Sequence, residues 1–177
     1  MSFAPVLNLS SINGSNGFRI DGTAAGELSG WSVSGAGDVN GDGFDDLIIG
    51  ARGADINGAE SGSSYVVFGK AGGLSATFNL STLDGTNGFR LNGTATDHYS
   101  GDMVSSAGDI NGDGFDDLII GAYGADPNGG NSGSSYVVFG QASGFSATLN
   151  LSTLNGSNGF RLDGAAAYDF SGDAVSS

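Results

Sequence analysis

Short runs of β-branched and aromatic residues, bounded by Gly, Asn, Asp and Ser, recur along the chain and are typical of β-strands. We place strands at about Ser29–Ala36, Asp46–Ala51, Ser63–Gly69 and Gly88–Asn92, and again at the same positions plus 71. The runs Leu47–Ile49 and Tyr65–Phe68 are continuously apolar, as expected for middle strands that neighbouring sheets cover on both faces. No helical periodicity of useful length appears, so the pattern predicts an all-β fold.

The spacing of these runs shows a tandem repeat. Asp38 aligns with Asp109 at an offset of 109 − 38 = 71 residues, and Asn-Gly-Phe-Arg recurs at that offset at residues 16–19, 87–90 and 158–161. Four short strands per unit is the pattern of a β-propeller blade. We divide the chain into a partial preceding repeat (1–28, an outer strand and a connection), a first blade (29–99), a second blade (100–168) and the first strand of a third (169–177). Residues 70–87 are predicted to form a long connection with a small additional strand.

Two acidic loops, residues 38–46 and 109–117, hold the same place in the two complete repeats. Each puts an oxygen-bearing side chain at positions 1, 3, 5 and 9 and a Gly at position 6, where a sharp turn is needed. Calcium prefers about six to eight oxygen ligands, and carboxylates crowded into so short a segment repel one another without a cation. The Phe at position 7 is expected to offer its carbonyl while its ring packs inward. The loops therefore predict two calcium sites.

Three alternative structures for the acidic loops compete with a propeller calcium site. An EF-hand needs a Glu at position 12, where this chain has Ile49 and Ile120. A calcium β-roll needs a nonapeptide period rather than one of 71 residues. A metal-free turn rich in Asp and Asn, with solvated carboxylates, is also compatible with the composition. The full spacing occurs twice at one place in the repeat, which favours the metal site.

The acidic loop followed by Asp-Leu-Ile-Ile-Gly-Ala resembles the FG-GAP repeat of integrin α-subunit β-propellers, and more closely bacterial proteins that carry such repeats. The Phe-Gly pair of the family is replaced by Leu28–Gly30 and Tyr99–Gly101, and the Gly-Ala-Pro end by Gly50–Arg52 and Gly121–Tyr123. The resemblance implies a calcium-binding propeller of a secreted or cell-surface protein. It assigns the metal ligands to Asp38, Asn40, Asp42, Phe44 and Asp46, and to Asp109, Asn111, Asp113, Phe115 and Asp117.

The charge balance narrows the classes of partner. Asp and Glu number 19 against 5 Lys and Arg, a formal net charge of −14, so the surface repels nucleic-acid phosphates and anionic lipid and attracts cations. Cysteine is absent, and His98 is the single histidine, interpreted as a solvated loop residue. These residues supply no Ser-His-Asp or Cys-His constellation, so we expect no enzyme activity. Residues 1–7 do not predict a signal peptide, and no apolar run is long enough to predict membrane insertion.

The sequence leaves three functions open. The first is a calcium-stabilised structural and adhesion module on the cell surface or outside the cell, with a protein or glycan ligand. The second is a carbohydrate-binding module that uses Trp31, Tyr99 or Tyr123, and the third is a non-catalytic domain of a larger secreted enzyme. Two complete units fall short of the four to eight blades of a propeller. We therefore expect either a homo-oligomer or adjacent blades in a longer chain.

Overall fold

The computed structural model describes residue 6 and residues 8–142 and 144–176. This part of the chain consists of short β-strands joined by turns, which confirms the predicted all-β class. The strands are β1 (Arg19–Asp21), β2 (Ser32–Gly37), β3 (Asp46–Ala51), β4 (Ser63–Val67), β5 (Thr77–Asn79), β6 (Gly88–Asn92), β7 (Val104–Gly108), β8 (Asp117–Ala122), β9 (Ser134–Val138), β10 (Thr148–Asn150) and β11 (Gly159–Asp163). Three 3₁₀ turns, at Leu9–Ser11, Leu80–Thr82 and Leu151–Thr153, complete the elements. None of these turns is long or apolar enough to cross a membrane.

The strands assemble into two similar antiparallel sheets, one for each complete repeat. In the first, β2, β3, β4 and β6 lie side by side, and in the second β7, β8, β9 and β11 do so. The registers repeat as well, since Leu47 pairs with Val67 and Leu118 pairs with Val138. The middle strand β4 is buried along its whole length, as its continuous apolar run predicted. Each sheet therefore has the form of a propeller blade.

The connections between blades contain the additional strand that the sequence predicted, but its partner lies in the preceding repeat. Strand β5 pairs in parallel with β1, with Thr77 opposite Arg19. Strand β10 pairs in parallel with β6 in the same way, with Thr148 opposite Arg90. Each connection therefore extends the outer edge of the preceding blade and fastens successive units together.

The largest hydrophobic core lies between the two blades. Phe68 and Phe89 from the first blade pack with Phe145 from the following connection, and the Phe89 and Phe145 rings stack with centroids 4.2 Å apart. Leu118 and Tyr136 of the second blade belong to the same buried cluster. A second cluster on the opposite face of the first blade is covered by partly buried residues from β1, β5 and the connection. Apolar contact between units is thus the main source of burial.

Two expectations from the sequence are wrong in detail. The segment 169–177 was expected to be the first strand of a third blade, but residues 169–176 form no strand and make a single bridge, between Ser171 and Gly133. Residue 177 lies outside the described residues. A strand needs a ladder partner, and in the complete repeats that partner is the strand after the acidic loop. His98 was interpreted as solvated but is half-buried, with its Nδ1 2.7 Å from the Thr94 hydroxyl.

Candidate cation-binding loops

The first acidic loop begins where the inner strand ends in a β-bulge. The register between β2 and β3 shifts at Gly37, which has a φ of +72°, and the chain turns there into the loop. The Asp38 carboxylate accepts backbone N–H groups from Asp42 (3.0 Å) and Gly43 (2.9 Å). The Asp42 carboxylate accepts the N–H of Phe44 at 3.0 Å. These bonds curl the backbone around the side chains of positions 1 and 5.

The second loop has the same construction. The Asp109 carboxylate accepts the N–H groups of Asp113 and Gly114, both at 3.0 Å. The Asp113 carboxylate accepts the N–H of Phe115 at 3.0 Å. A bulge at Gly108 precedes this loop as well. The two loops therefore have closely similar backbone structures.

The aspartates at position 9, Asp46 and Asp117, are the first residues of β3 and β8 and are almost fully buried. Both oxygens of Asp46 accept backbone N–H groups, from Val39 (3.0 Å) and Gly69 (2.8 Å). Asp117 accepts from its equivalents Ile110 and Gly140, both at 2.9 Å. Each aspartate thus joins its loop to the end of a neighbouring strand in the same blade.

The pKa values of the aspartates at position 9 are raised first by burial and second by the neighbouring carboxylates. Burial raises the pKa of Asp46 to about 6, and the charges of Asp42 and Asp38 add to the rise, although the N–H groups of Gly69 and Val39 oppose it. Burial, together with the charge of Asp113, also raises the pKa of Asp117. Each of these aspartates binds a proton more readily than usual, first because burial disfavours the charged form and second because the neighbouring carboxylates repel it. A bound cation would relieve the same repulsion.

The donors of the loops fit a hard divalent cation in chemistry. They are carboxylate, amide and carbonyl oxygens, the ligands that calcium prefers. A carboxylate has about four lone-pair positions, so Asp38 and Asp46 can accept their two N–H groups and still ligate an ion. Within the described residues, however, no three acidic or histidine side chains converge in a metal-binding arrangement. The backbone of each loop is thus curled by its hydrogen bonds, but the ligand side chains do not converge on one point in the described residues.

The two loops contact each other directly across the boundary between the blades. The Asp116 carboxylate, at position 8 of the second loop, accepts the N–H of Asp38 at 2.8 Å, and the N–H of Asp116 donates to the Asp38 carbonyl at 3.2 Å. The Phe115 ring is half-buried against Gly41, and a Cβ at Gly41 would overlap it. Phe44, the equivalent of Phe115, is instead 42% exposed. The expectation of an inward-packed ring is therefore wrong for Phe44, whose side of the blade faces no second acidic loop in the described chain.

The aromatic residues considered for sugar binding are already engaged. The Arg52 guanidinium lies 3.6 Å from the centre of the Trp31 ring and forms an ion pair with Asp102 at 2.8 Å. The Tyr99 and Tyr123 rings stack on each other with centroids 5.2 Å apart. One face of each ring is thus covered by the protein itself. This arrangement stabilises the contact between blades rather than presenting a flat aromatic platform.

One repeat position carries different chemistry in the partial preceding repeat and in the first blade, although the sequence pattern did not predict a role for it. Glu27 is buried and bonds to Thr23, Ser29 and Tyr65. These bonds outweigh the effect of burial and lower the pKa of Glu27. His98 holds the equivalent position, and burial lowers the pKa of its imidazole. Both groups therefore bind protons less readily in the folded protein than in the unfolded chain.

The fold and the loops together define a segment of a propeller with one acidic loop per blade. The profile of the FG-GAP repeat family matches residues 29–67 and 104–138, the strands and acidic loops of the two blades. The chain is an integrin-like FG-GAP repeat protein.

Several integrin α-subunits are similar to it in sequence. Integrin alpha-V of Gallus gallus is 30% identical over 175 residues, which is 90% of this chain and 15% of that protein. Integrin alpha-6 of Gallus gallus is 36% identical over 86 residues, 48% of this chain and 7% of that protein. Integrin alpha-PS5 of Drosophila melanogaster is 36% identical over 103 residues, 58% of this chain and 10% of that protein. The chain thus spans at most about a sixth of the length of these relatives.

Proposed function

We propose that this chain is a calcium-binding propeller segment that serves as a structural and adhesion module of a cell-surface or extracellular protein. Its metal ligands are the residues that the sequence singled out, namely Asp38, Asn40, Asp42, Phe44 and Asp46, and Asp109, Asn111, Asp113, Phe115 and Asp117. The module itself is non-enzymatic, and calcium has a structural role. The segment packs either against a second copy of the chain or against adjacent blades of a longer chain.

The observation that carries this proposal is that the two loops share a set of hydrogen bonds from backbone N–H groups to aspartate carboxylates at equivalent positions. A solvated acidic turn would not require the same hydrogen-bond pattern in both repeats. It would also not require a buried aspartate at position 9 of each loop. Repulsion among the carboxylates, which after burial is a secondary cause of the raised pKa of Asp46, favours a cation in the loop. The similarity to integrin α-subunits supports the adhesion role and the location at the cell surface.

Calcium titration by isothermal calorimetry tests the proposal. We expect two calcium ions per chain, with dissociation constants of about 10⁻⁴–10⁻³ M, as in extracellular modules. Asp42→Ala and Asp113→Ala should each leave one ion. Asp45→Ala is the matched control, because Asp45 lies in the first loop but is not assigned as a ligand, and it should leave two. A chain that binds no calcium, or that loses none in either loop variant, would contradict the proposal.

The ligand of the module is tested separately. We expect a protein surface, since the rings of Trp31, Tyr99 and Tyr123 are partly covered within the chain. Binding to a glycan array that free sugar abolishes would instead support the carbohydrate-binding alternative. Loss of that binding in Trp31→Ala would then locate the sugar site.

A further inference from the structure

The aspartate at position 8 of the second acidic loop has no assigned role in cation binding, yet it bonds to the first loop through both its side chain and its backbone. Asp116 and Asp38 form a reciprocal pair of hydrogen bonds: the Asp116 carboxylate accepts the Asp38 N–H at 2.8 Å, and the Asp116 N–H donates to the Asp38 carbonyl at 3.2 Å. Asp38 is position 1 of the first loop. A residue of the second loop therefore fixes the backbone at the start of the first.

The backbone of the first loop packs closely against the Asp116 side chain and its neighbours. A Cβ at Gly37 would overlap the Asp116 carboxylate, so the backbone leaves room for it there. Next to it, the Phe115 ring lies on Gly41 of the first loop. The N–H of Gln141 donates to the Val39 carbonyl at 3.0 Å. Two places in the second blade, the adjacent residues Phe115 and Asp116 and the more distant Gln141, thus contact residues 37–41.

Asp116 also lies between two proposed ligands of its own loop. Phe115 precedes it and offers a carbonyl, and Asp117 follows it with a carboxylate held by two N–H groups. A cation in the second loop would order residues 115–117 and with them the Asp116 side chain. The ordered Asp116 would in turn hold Asp38, whose carboxylate must face the cation of the first loop.

We propose that Asp116 is a positioning residue that couples cation binding in the two loops, so that an ion in the second loop raises the affinity of the first. The inference rests on the proposed calcium sites. The repeat-equivalent residue, Asp45, is exposed, and its carboxylate has no hydrogen-bond partner among the described residues. Asp45 therefore provides a matched control with the same side chain and the same loop position.

The coupling is measured by following the Gly43 amide of ¹⁵N-labelled protein during calcium titration, which reports on the first loop alone. Disabling the second loop with Asp113→Ala should weaken calcium binding in the first loop at least about fivefold, the lower end of typical coupling between sites. In an Asp116→Ala background, Asp113→Ala should have no further effect on the first loop. In an Asp45→Ala background its effect should remain. Asp116→Asn keeps an acceptor oxygen for the Asp38 N–H and should restore part of the coupling.

A metal-free arm separates this inference from the calcium proposal. In chelator, the Asp38 amide of Asp116→Ala should exchange its hydrogen roughly tenfold faster or more, whereas Asp45→Ala should not change it. If no calcium binds but exchange still accelerates, the calcium proposal fails and coupling fails with it, while the contact itself stands. If calcium binds and Asp113→Ala leaves the first loop unchanged, or weakens it equally without Asp116, the coupling is overturned.

Discussion

The outer strands of the two blades have almost the same sequence but different environments. Strand β6 reads Gly-Phe-Arg-Leu-Asn and β11 reads Gly-Phe-Arg-Leu-Asp. Leu91 is fully buried in the first, whereas its equivalent Leu162 is 51% exposed in the second. The difference comes from β10, which pairs with β6, while β11 has no strand on its outer side within the described residues. Burial in this repeat is therefore set by the neighbouring unit and not by the local sequence.

The largest expected effect comes from truncating the same side chain in both environments. Leu91→Ala removes a leucine from a closed core and should lower the free energy of unfolding by about 2–5 kcal/mol. Leu162→Ala should lower it by less than about 1 kcal/mol, because half of that side chain is already in water. Urea denaturation of both variants in calcium measures the difference. Equal losses would mean that β11 is covered in solution.

A smaller effect is expected on association. The open edge of β11 can pair with another chain, and a charge on such an edge discourages pairing. Leu162→Lys should weaken self-association by roughly tenfold, about 1.4 kcal/mol, as measured by sedimentation velocity over a range of concentrations. Ser81→Lys adds the same charge to the exposed connection of the first blade and serves as the control. An unmodified chain that is monomeric at every concentration would contradict the open-edge interpretation.

The smallest effect concerns pH and the position shared by Glu27 and His98. The pKa of His98 is below its ordinary value of 6.5, so the unfolded chain binds the proton more readily. Stability from His98 is therefore present above 6.5 and is lost as the pH falls through the lower folded pKa. We expect a small loss of stability over this pH range, which His98→Gln should remove from a series of unfolding experiments at different pH.

Glu27 should add a second loss at lower pH. Its pKa lies below the ordinary value of 4.5, so its contribution is present above 4.5 and disappears as the pH falls through the folded value. Glu27→Gln should remove this component and leave the one from His98. If His98→Gln instead removed the loss below 4.5, the two groups would be wrongly assigned.

The repeat and the blade strands could be predicted from the sequence because they depend on local patterns. Apolar runs such as Tyr65–Phe68 and the spacing of Asp and Gly in the loops are readable within one unit. The partner of the connection strand could not be predicted, since Thr77–Asn79 has three residues with a single apolar one, Phe78, and so does not fix a register. The contact between Asp116 and Asp38 joins residues 78 positions apart, so only the packing of blades shows it.

The different environments of equivalent residues could not be predicted from the sequence either. Phe44 and Phe115 have the same neighbours along the chain, yet only Phe115 meets a second loop. Arg19 and Arg161 each form an ion pair with the aspartate two residues further along the chain, at 2.7 Å in each case. Arg90 has Asn92 at that place, and its Nε is buried without a partner in the described structure. Such differences follow from single substitutions and from the neighbouring blade.

The central claim is that calcium stabilises the folded chain. It is tested most directly by thermal unfolding in calcium and in chelator at the same ionic strength. With free calcium about tenfold above the dissociation constant, each site should contribute about 1.4 kcal/mol. Two sites should therefore raise the Tm by roughly 5–10 °C for a chain of this size. The rise should fall by more than half in Asp113→Ala, because that variant loses the second site and weakens the coupled first one, and it should be unchanged in Asp45→Ala. A Tm that is the same in calcium and in excess chelator would contradict the account.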